Sequence, residues 1–288
     1  MASIVYLNGR FVAPDEAVIS LFDHGYLFGD GFFETLRAYD GTWFRLESHL
    51  DRLFDSARFL LITIPMSKGD LAKLAQSALE RSGLRDAYLR ITVSRGVGER
   101  GIDPALCPNP TLSLIVKELS LYPEAWYASG IRSSIVSVRR IAEDALSARI
   151  KGCNYQNLIL AKLEANQHGV PEGLLLNSEG FLAEGTVSNV FVVKRGALLT
   201  PAPSCGCLEG ITRSAVIELA RKNRIPARET RIARYDLYTA DECFLTNSLM
   251  ELLPVVAVDG RSLGDGKPGD LTQRLQHLYR ELTRTERR

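Results

Sequence analysis

The stretch Ala148-Arg149-Ile150-Lys151-Gly152-Cys153-Asn154-Tyr155 lies near the midpoint of the chain and opens a helix-like run over residues 154–168. Lys151 stands between an alternating apolar segment, 131–138, and a helix whose Leu158, Ile159, Ala161, Leu163 and Ala165 are expected to face a core. A lysine placed there loses hydration. That loss disfavours the ammonium and frees the amine as a nucleophile able to form a Schiff base with an aldehyde. Most lysines near a helix start are solvated and do no chemistry, so the rest of the chain has to supply the other parts of a site.

The 288 residues suffice for two modest domains or one large one. Lys plus Arg number 35 against 34 for Asp plus Glu, and a net charge of +1 carries no footprint for nucleic acid or an anionic membrane. No apolar run reaches the roughly 20 residues of a membrane helix, and Met1-Ala2-Ser3-Ile4-Val5 leads straight into a strand pattern rather than a signal peptide. A cytoplasmic location is the expectation. The five cysteines (Cys107, Cys153, Cys205, Cys207, Cys243) lack C-x-x-C spacing and do not cluster with the histidines, which argues against a disulfide framework or a zinc site. Cys153 reads as a small packed cysteine rather than a nucleophile.

From the N-terminus, Val5-Tyr6-Leu7 and Arg10-Phe11-Val12 flank Asn8-Gly9, a strong hairpin signal. The glycine-rich piece Phe28-Gly29-Asp30-Gly31-Phe32-Phe33-Glu34 reads as a tight connection between strands. Residues 46–61 form an amphipathic helix carrying His49, Arg52 and Ser56 on the flank of its apolar stripe, where Arg52 is either a phosphate fork or a surface arginine. A second helix over 71–84 and a strand over 87–94 follow, the latter placing Tyr88, Arg90 and Thr92 on one face. Residues 95–101 form a basic loop, 111–116 another strand, and 121–130 a linker. Beyond it, strands are expected at 131–138, 173–177, 181–184, 186–194, 242–246 and 254–258. Helices are expected at 214–223, with Thr212 as cap or ligand at an anion-attracting entry, and at 271–282.

An amine, a helix arginine, Glu184 before a strand, a helix N-terminus and a hydroxyl at a strand end are the parts that pyridoxal phosphate needs. The chain resembles the class IV aminotransferases, the fold type IV enzymes that include branched-chain aminotransferases, D-amino-acid aminotransferases and aminodeoxychorismate lyase. The motifs carrying the resemblance are Phe28-Gly29-Asp30-Gly31-Phe32-Phe33-Glu34, His49-Leu50-Asp51-Arg52-Leu53, Ile150-Lys151-Gly152-Cys153-Asn154, Glu184-Gly185-Thr186-Val187-Ser188-Asn189-Val190-Phe191 and Gly210-Ile211-Thr212-Arg213. The resemblance implies an α/β (α+β) fold: a smaller N-terminal domain (1–120), a linker (121–130) and a larger C-terminal domain (131–288) carrying the lysine, with pyridoxal 5'-phosphate in the interdomain cleft of a homodimer.

By the same resemblance Lys151 holds the cofactor and shuttles the proton, Arg52 binds its phosphate with Ile211, Thr212 and Ser248, and Glu184 pairs with the pyridine nitrogen. Phe33, Tyr88 and Arg90 are similar to branched-chain substrate contacts. Arg100 matches instead the carboxylate arginine of the D-specific enzymes, so the handedness of the substrate stays open. Asn247-Ser248-Leu249-Met250 is similar to the lyases. The expected activity is amino transfer between an aliphatic amino acid and a 2-oxo acid, with aminodeoxychorismate lyase as the alternative.

Overall fold

The structure is a computed structural model that describes residues 3–99 and 101–286. The chain forms two compact units, one comprising Met1–Ser120, Ile150–Asn154 and Thr283–Arg288, the other Leu121–Arg149 and Tyr155–Leu282.

In the first unit β1 (Ile4–Leu7) and β2 (Arg10–Val12) pair about Asn8 and Gly9, both at positive φ (44° and 100°), a geometry that Asn-Gly adopts readily. A short helix, α1 (His24–Phe28), begins where the Asp23 side chain accepts the Gly25 N–H and ends at Gly29 in the left-handed region. β3 (Gly31–Tyr39), β4 (Thr42–Trp43), α2 (Leu46–Leu60), α3 (Lys68–Ser82), β5 (Ala87–Ser94) and β6 (Thr111–Glu118) follow. Among the described residues, six antiparallel strands lie in the order β2-β1-β6-β5-β3-β4. Leu36, Leu50, Leu53, Leu71, Leu89 and Ile91 sit in the core between the sheet and the two helices. Leu61, expected to continue the apolar stripe of α2, is instead its left-handed C-cap and is exposed.

β4 pairs only with Ala38 and Tyr39, so the opening residues of β3 keep an uncovered edge on that side. The lysine segment takes it. The Phe33 N–H donates to Lys151 O at 2.9 Å, the Cys153 N–H donates to Gly31 O at 2.8 Å, and Phe32 bridges Gly152. Ile150 packs on the same core. The expectation that the lysine belongs to a C-terminal domain of 131–288 is therefore corrected: edge pairing and the Ile150 anchor bind residues 150–154 into the first unit.

The second unit opens with α4 (Glu124–Ser129), so the expected linker is partly helical, and Trp126 and Tyr127 pack on this unit's core. It continues through β7 (Ile131–Ile135), α5 (Gln156–Gln167), β8 (Glu172–Leu176), β9 (Leu182–Gly185), β10 (Asn189–Lys194), β11 (Ala197–Pro201), α6 (Ile211–Lys222) and β12 (Ala227–Thr230). Then come α7 (Arg234–Tyr238), β13 (Glu242–Asn247), β14 (Glu251–Val258), β15 (Arg261–Ser262) and α8 (Asp270–Thr285), of which residues 283–285 count with the first unit. Its sheet, of nine strands among the described residues, runs β12-β11-β10-β13-β14-β7-β8-β9, with β15 on β14; β7 lies parallel to both of its neighbours.

α5 departs from its expected facing. Only Ala161 and Ala165 are fully buried, while Ile159, Leu160 and Leu163 are exposed. A Cβ at Gly173 would come within 3.2 Å of Ala165 Cβ and 3.4 Å of the Ala161 carbonyl oxygen, so the helix lies too close to β8 for larger residues on that face.

Candidate active site

In the first unit, antiparallel alternation puts Phe32, Glu34, Leu36 and Ala38 in one row of β3. Glu34 is thus a carboxylate within a core row, only 1% exposed. α2 brings its partners. Arg52 donates from Nε to Glu34 Oε1 at 2.6 Å and from Nη2 to Oε2 at 2.8 Å, and His49 Nδ1 lies 2.7 Å from Oε2. Burial alone raises the Glu34 carboxyl, but Arg52 and His49 outweigh it and hold it at about 2. Burial lowers His49 below its usual value despite the adjacent carboxylate. The imidazole is then neutral at pH 7 and its Nδ1–H donates, because an ionised carboxylate only accepts.

On the opposite row of β3, the buried Phe33 ring carries two cations. Arg90 Cζ stands 3.6 Å from its centroid and Lys151 Nζ 4.9 Å. Arg90 Nε donates to Thr92 Oγ1 at 3.1 Å, fixing it along its strand, whereas the Tyr88 ring faces Lys117 Nζ at 4.9 Å. Lys151, Phe33 and Arg90 are therefore together, and Tyr88 lies further along the same face. Arg100 lies outside the described residues. Cys153 is half-buried, and its desolvation pushes the thiol up and leaves it a poor nucleophile.

In the second unit, buried Glu184 near the end of β9 accepts from Arg140 Nε at 2.7 Å and from the Leu208 N–H at 2.8 Å. α6 begins at Ile211, three residues earlier than expected; its N-cap is Gly210, with no side-chain cap, and Thr212 lies inside the first turn. A side chain at 210 would collide with Asn189, whose Nδ2 donates to Leu208 O at 2.7 Å. The first turn thus presents amide N–H groups at the positive end of a 12-residue helix, beside the buried Thr212 hydroxyl-bearing side chain. Ser248 lies half-buried in the turn after β13, closed by Asn247 Oδ1, which accepts from the Leu249 and Met250 N–H groups at 2.9 and 2.7 Å.

Glu34 and Arg140 were not singled out as site residues by sequence reasoning. An ionisable side chain in a row of Phe32, Leu36 and Ala38 was the available signal for Glu34; Arg140 lies 44 residues from Glu184 and has none. A cavity of about 290 Å³ in the second unit, with Tyr122, Trp126, Tyr155, Met250 and Thr186 among its walls, borders another buried acid, Glu172. Among the described residues no cluster of side chains could hold a metal ion, and no helix is long and apolar enough to cross a membrane.

Residues 31–258 match the family Amino-transferase class IV, and the chain belongs to it. The chain is 44% identical over 278 residues to a putative branched-chain-amino-acid aminotransferase of Methanocaldococcus jannaschii, covering 96% of each protein. It is 33% identical over 280 residues to the aminodeoxychorismate lyase of Bacillus subtilis, covering 96% of this chain and 94% of that one. The branched-chain amino acid aminotransferase of T.th., solved with pyridoxamine 5'-phosphate, is similar with a TM-score of 0.94 at 33% identity, over 100% of this chain and 96% of that one. The same enzyme complexed with N-(5'-phosphopyridoxyl)-L-glutamate gives 0.93 at 33% identity, over 100% and 95%. The mixed α/β architecture is that of these aminotransferases.

Proposed function

We propose that the protein is a pyridoxal-phosphate-dependent aminotransferase that moves the amino group of a branched aliphatic L-amino acid to a 2-oxo acid in two alternating half-reactions. The observation that carries this reading is Lys151, held by its backbone against β3 with its amine above Phe33, in a chain of the class IV aminotransferase family. Bound pyridoxal phosphate supplies an aldehyde for an amine and a ring that accepts electrons from the substrate's α-carbon. The donor set fits such a group: a partly buried amine, an arginine, uncapped helix amides and a buried carboxylate paired with a guanidinium.

Lys151 would hold the cofactor through Nζ and would take and return the proton at the substrate's α-carbon. Arg52 receives the phosphate, aided by the amides of Ile211 and Thr212 and the hydroxyls of Thr212 and Ser248. Glu184, oriented by Arg140 and the Leu208 N–H, holds the proton on the ring nitrogen. Phe33 and Tyr88 contact the substrate, and Arg90 rather than Arg100 takes its carboxylate, which corresponds to the L series. Its likeness to branched-chain aminotransferases supports branched-chain substrates, and the L-glutamate adduct of the T.th. enzyme supports glutamate as the other amino donor.

A cytoplasmic homodimer is part of the proposal; the exposed apolar residues Leu21, Phe22, Tyr26 and Phe28 of the first unit support self-association. The lyase reading is favoured by the Asn247-Ser248-Leu249-Met250 turn and by the Bacillus subtilis relative. Borohydride reduction of the cofactor-loaded protein followed by peptide mass mapping tests the assignment. The cofactor mass on Lys151, with loss of both the adduct and turnover in Lys151→Ala, is expected. An adduct elsewhere, or turnover retained in Lys151→Ala, contradicts it.

A further inference from the structure

We propose that Glu34 is the positioning residue for Arg52, fixing the plane of its guanidinium so that the arginine meets an anionic phosphate in one orientation, with His49 locking Glu34 in turn. The inference rests on the reading that Arg52 receives the cofactor phosphate.

The geometry leaves Glu34 little freedom. Its Oε1 accepts from Arg52 Nε, and its Oε2 accepts from both Arg52 Nη2 and His49 Nδ1. A glutamate's last torsion is broad and shallow, so the second donor on Oε2 is what fixes the carboxylate's rotation. Arg52 follows His49 by three positions on α2, which sets both on one side of the helix over the same carboxylate. The two-point fork holds the guanidinium edge-on and turns Nη1 away from Glu34.

Stability alone does not account for this triad. Desolvating a carboxylate and a guanidinium is expensive, and an apolar residue in the same row as Phe32, Leu36 and Ala38 would pack without that penalty. What the charged arrangement supplies is orientation. β3 provides it twice over, since Phe33 holds the Lys151 backbone through its N–H and the next residue, Glu34, holds the Arg52 side chain. A phosphate needs donors in fixed places, and a long flexible arginine held in advance loses less conformational freedom on binding.

The test compares the affinity of the apoprotein for pyridoxal 5'-phosphate with its affinity for pyridoxal, which lacks the phosphate, by absorbance or fluorescence titration. Arg52→Met is expected to collapse the preference for the phosphorylated form. Glu34→Gln is expected to reduce that preference about tenfold while leaving pyridoxal affinity within about twofold. An unchanged preference in Arg52→Met overturns the phosphate assignment itself. A collapsed preference in Arg52→Met with an unchanged one in Glu34→Gln, or an equal loss of both ligands in Glu34→Gln, overturns the positioning role alone. Should Glu34→Gln yield no folded apoprotein, His49→Gln carries the test: a preference reduced about threefold supports the proposal, and an unchanged preference contradicts it.

Discussion

Glu34 in the first unit and Glu172 in the second are both buried carboxylates, 1% and 3% exposed, yet their protons are held in opposite ways. Glu34 meets a guanidinium and an imidazole and is driven down to about 2. Glu172 Oε1 accepts from the Gly173 N–H at 3.1 Å, the Thr186 N–H at 2.8 Å and the Thr186 hydroxyl, all neutral. Burial then dominates and pushes its carboxyl up, with Lys162 too weak a counterweight. Desolvation acts alike on both; the charge of the partners decides the outcome. The first arrangement keeps a permanent charge that can hold an arginine. The second is a staple that ties Thr186, the residue directly after β9, to β8.

Removing the carboxylate from the charged site has the largest expected effect. Glu34→Ala leaves the buried His49 and the partly buried Arg52 without it and is expected to destabilise the apoprotein by about 3–5 kcal/mol in denaturant unfolding. A loss below about 1 kcal/mol would show that solvent reaches the pair and would erase the contrast with Glu172.

Next in size is the acid response. The depressed Glu34 carboxyl contributes stability that is present above the unfolded value of 4.5 and lost as pH falls through about 2, a swing of about 3 kcal/mol. His49 acts with the same sign: because its folded value lies below 6.5, stability falls as pH drops beneath 6.5. Unfolding of the wild type between pH 2 and 6.5 is therefore expected to show a positive slope that Glu34→Gln flattens below pH 4.5. Glu172 sharpens the comparison, with the opposite sign. Its raised carboxyl contributes stability that is present below 4.5 and lost as pH rises through its folded value. Glu172→Gln retains an acceptor for Gly173 and Thr186 and is expected to gain about 1 kcal/mol over wild type at about pH 8, with the gain shrinking towards about pH 4. The smallest effect belongs to an exposed pair: Asp55→Ala, which removes a 3.9 Å contact with Arg58, is expected to change stability by less than about 0.5 kcal/mol.

Local periodicity made some of this legible. The alternation of Tyr88, Arg90 and Thr92 against Leu89, Ile91 and Val93 defines β5, and the repeat of Leu50, Leu53 and Ala57 defines the buried face of α2. α1 escaped because five residues are too few for a helical period to emerge, and α4 because Pro123 and Gly130 read as breakers although they bound the helix. The exposed Ile159 and Leu163 were misread because hydrophobicity alone cannot report that Gly173 draws α5 close enough to admit only alanines. His49 and Arg52 were visible as neighbours on a helix. Their anchor was not, since Glu34 lies 15 and 18 residues away and meets them only when α2 packs on β3. Placing Lys151 with the first unit likewise depended on edge pairing with β3, a contact spanning more than a hundred residues that no local pattern reports.

The most direct measurement is a visible absorption titration of the cofactor-loaded protein with L-leucine, D-leucine, L-alanine and D-alanine in turn. Stoichiometric conversion of the cofactor to its amine form by L-leucine, with release of the matching 2-oxo acid and no conversion by D-leucine, is the predicted result. No conversion by any of the four, together with release of pyruvate and 4-aminobenzoate from aminodeoxychorismate, would contradict amino transfer and assign the lyase reaction instead.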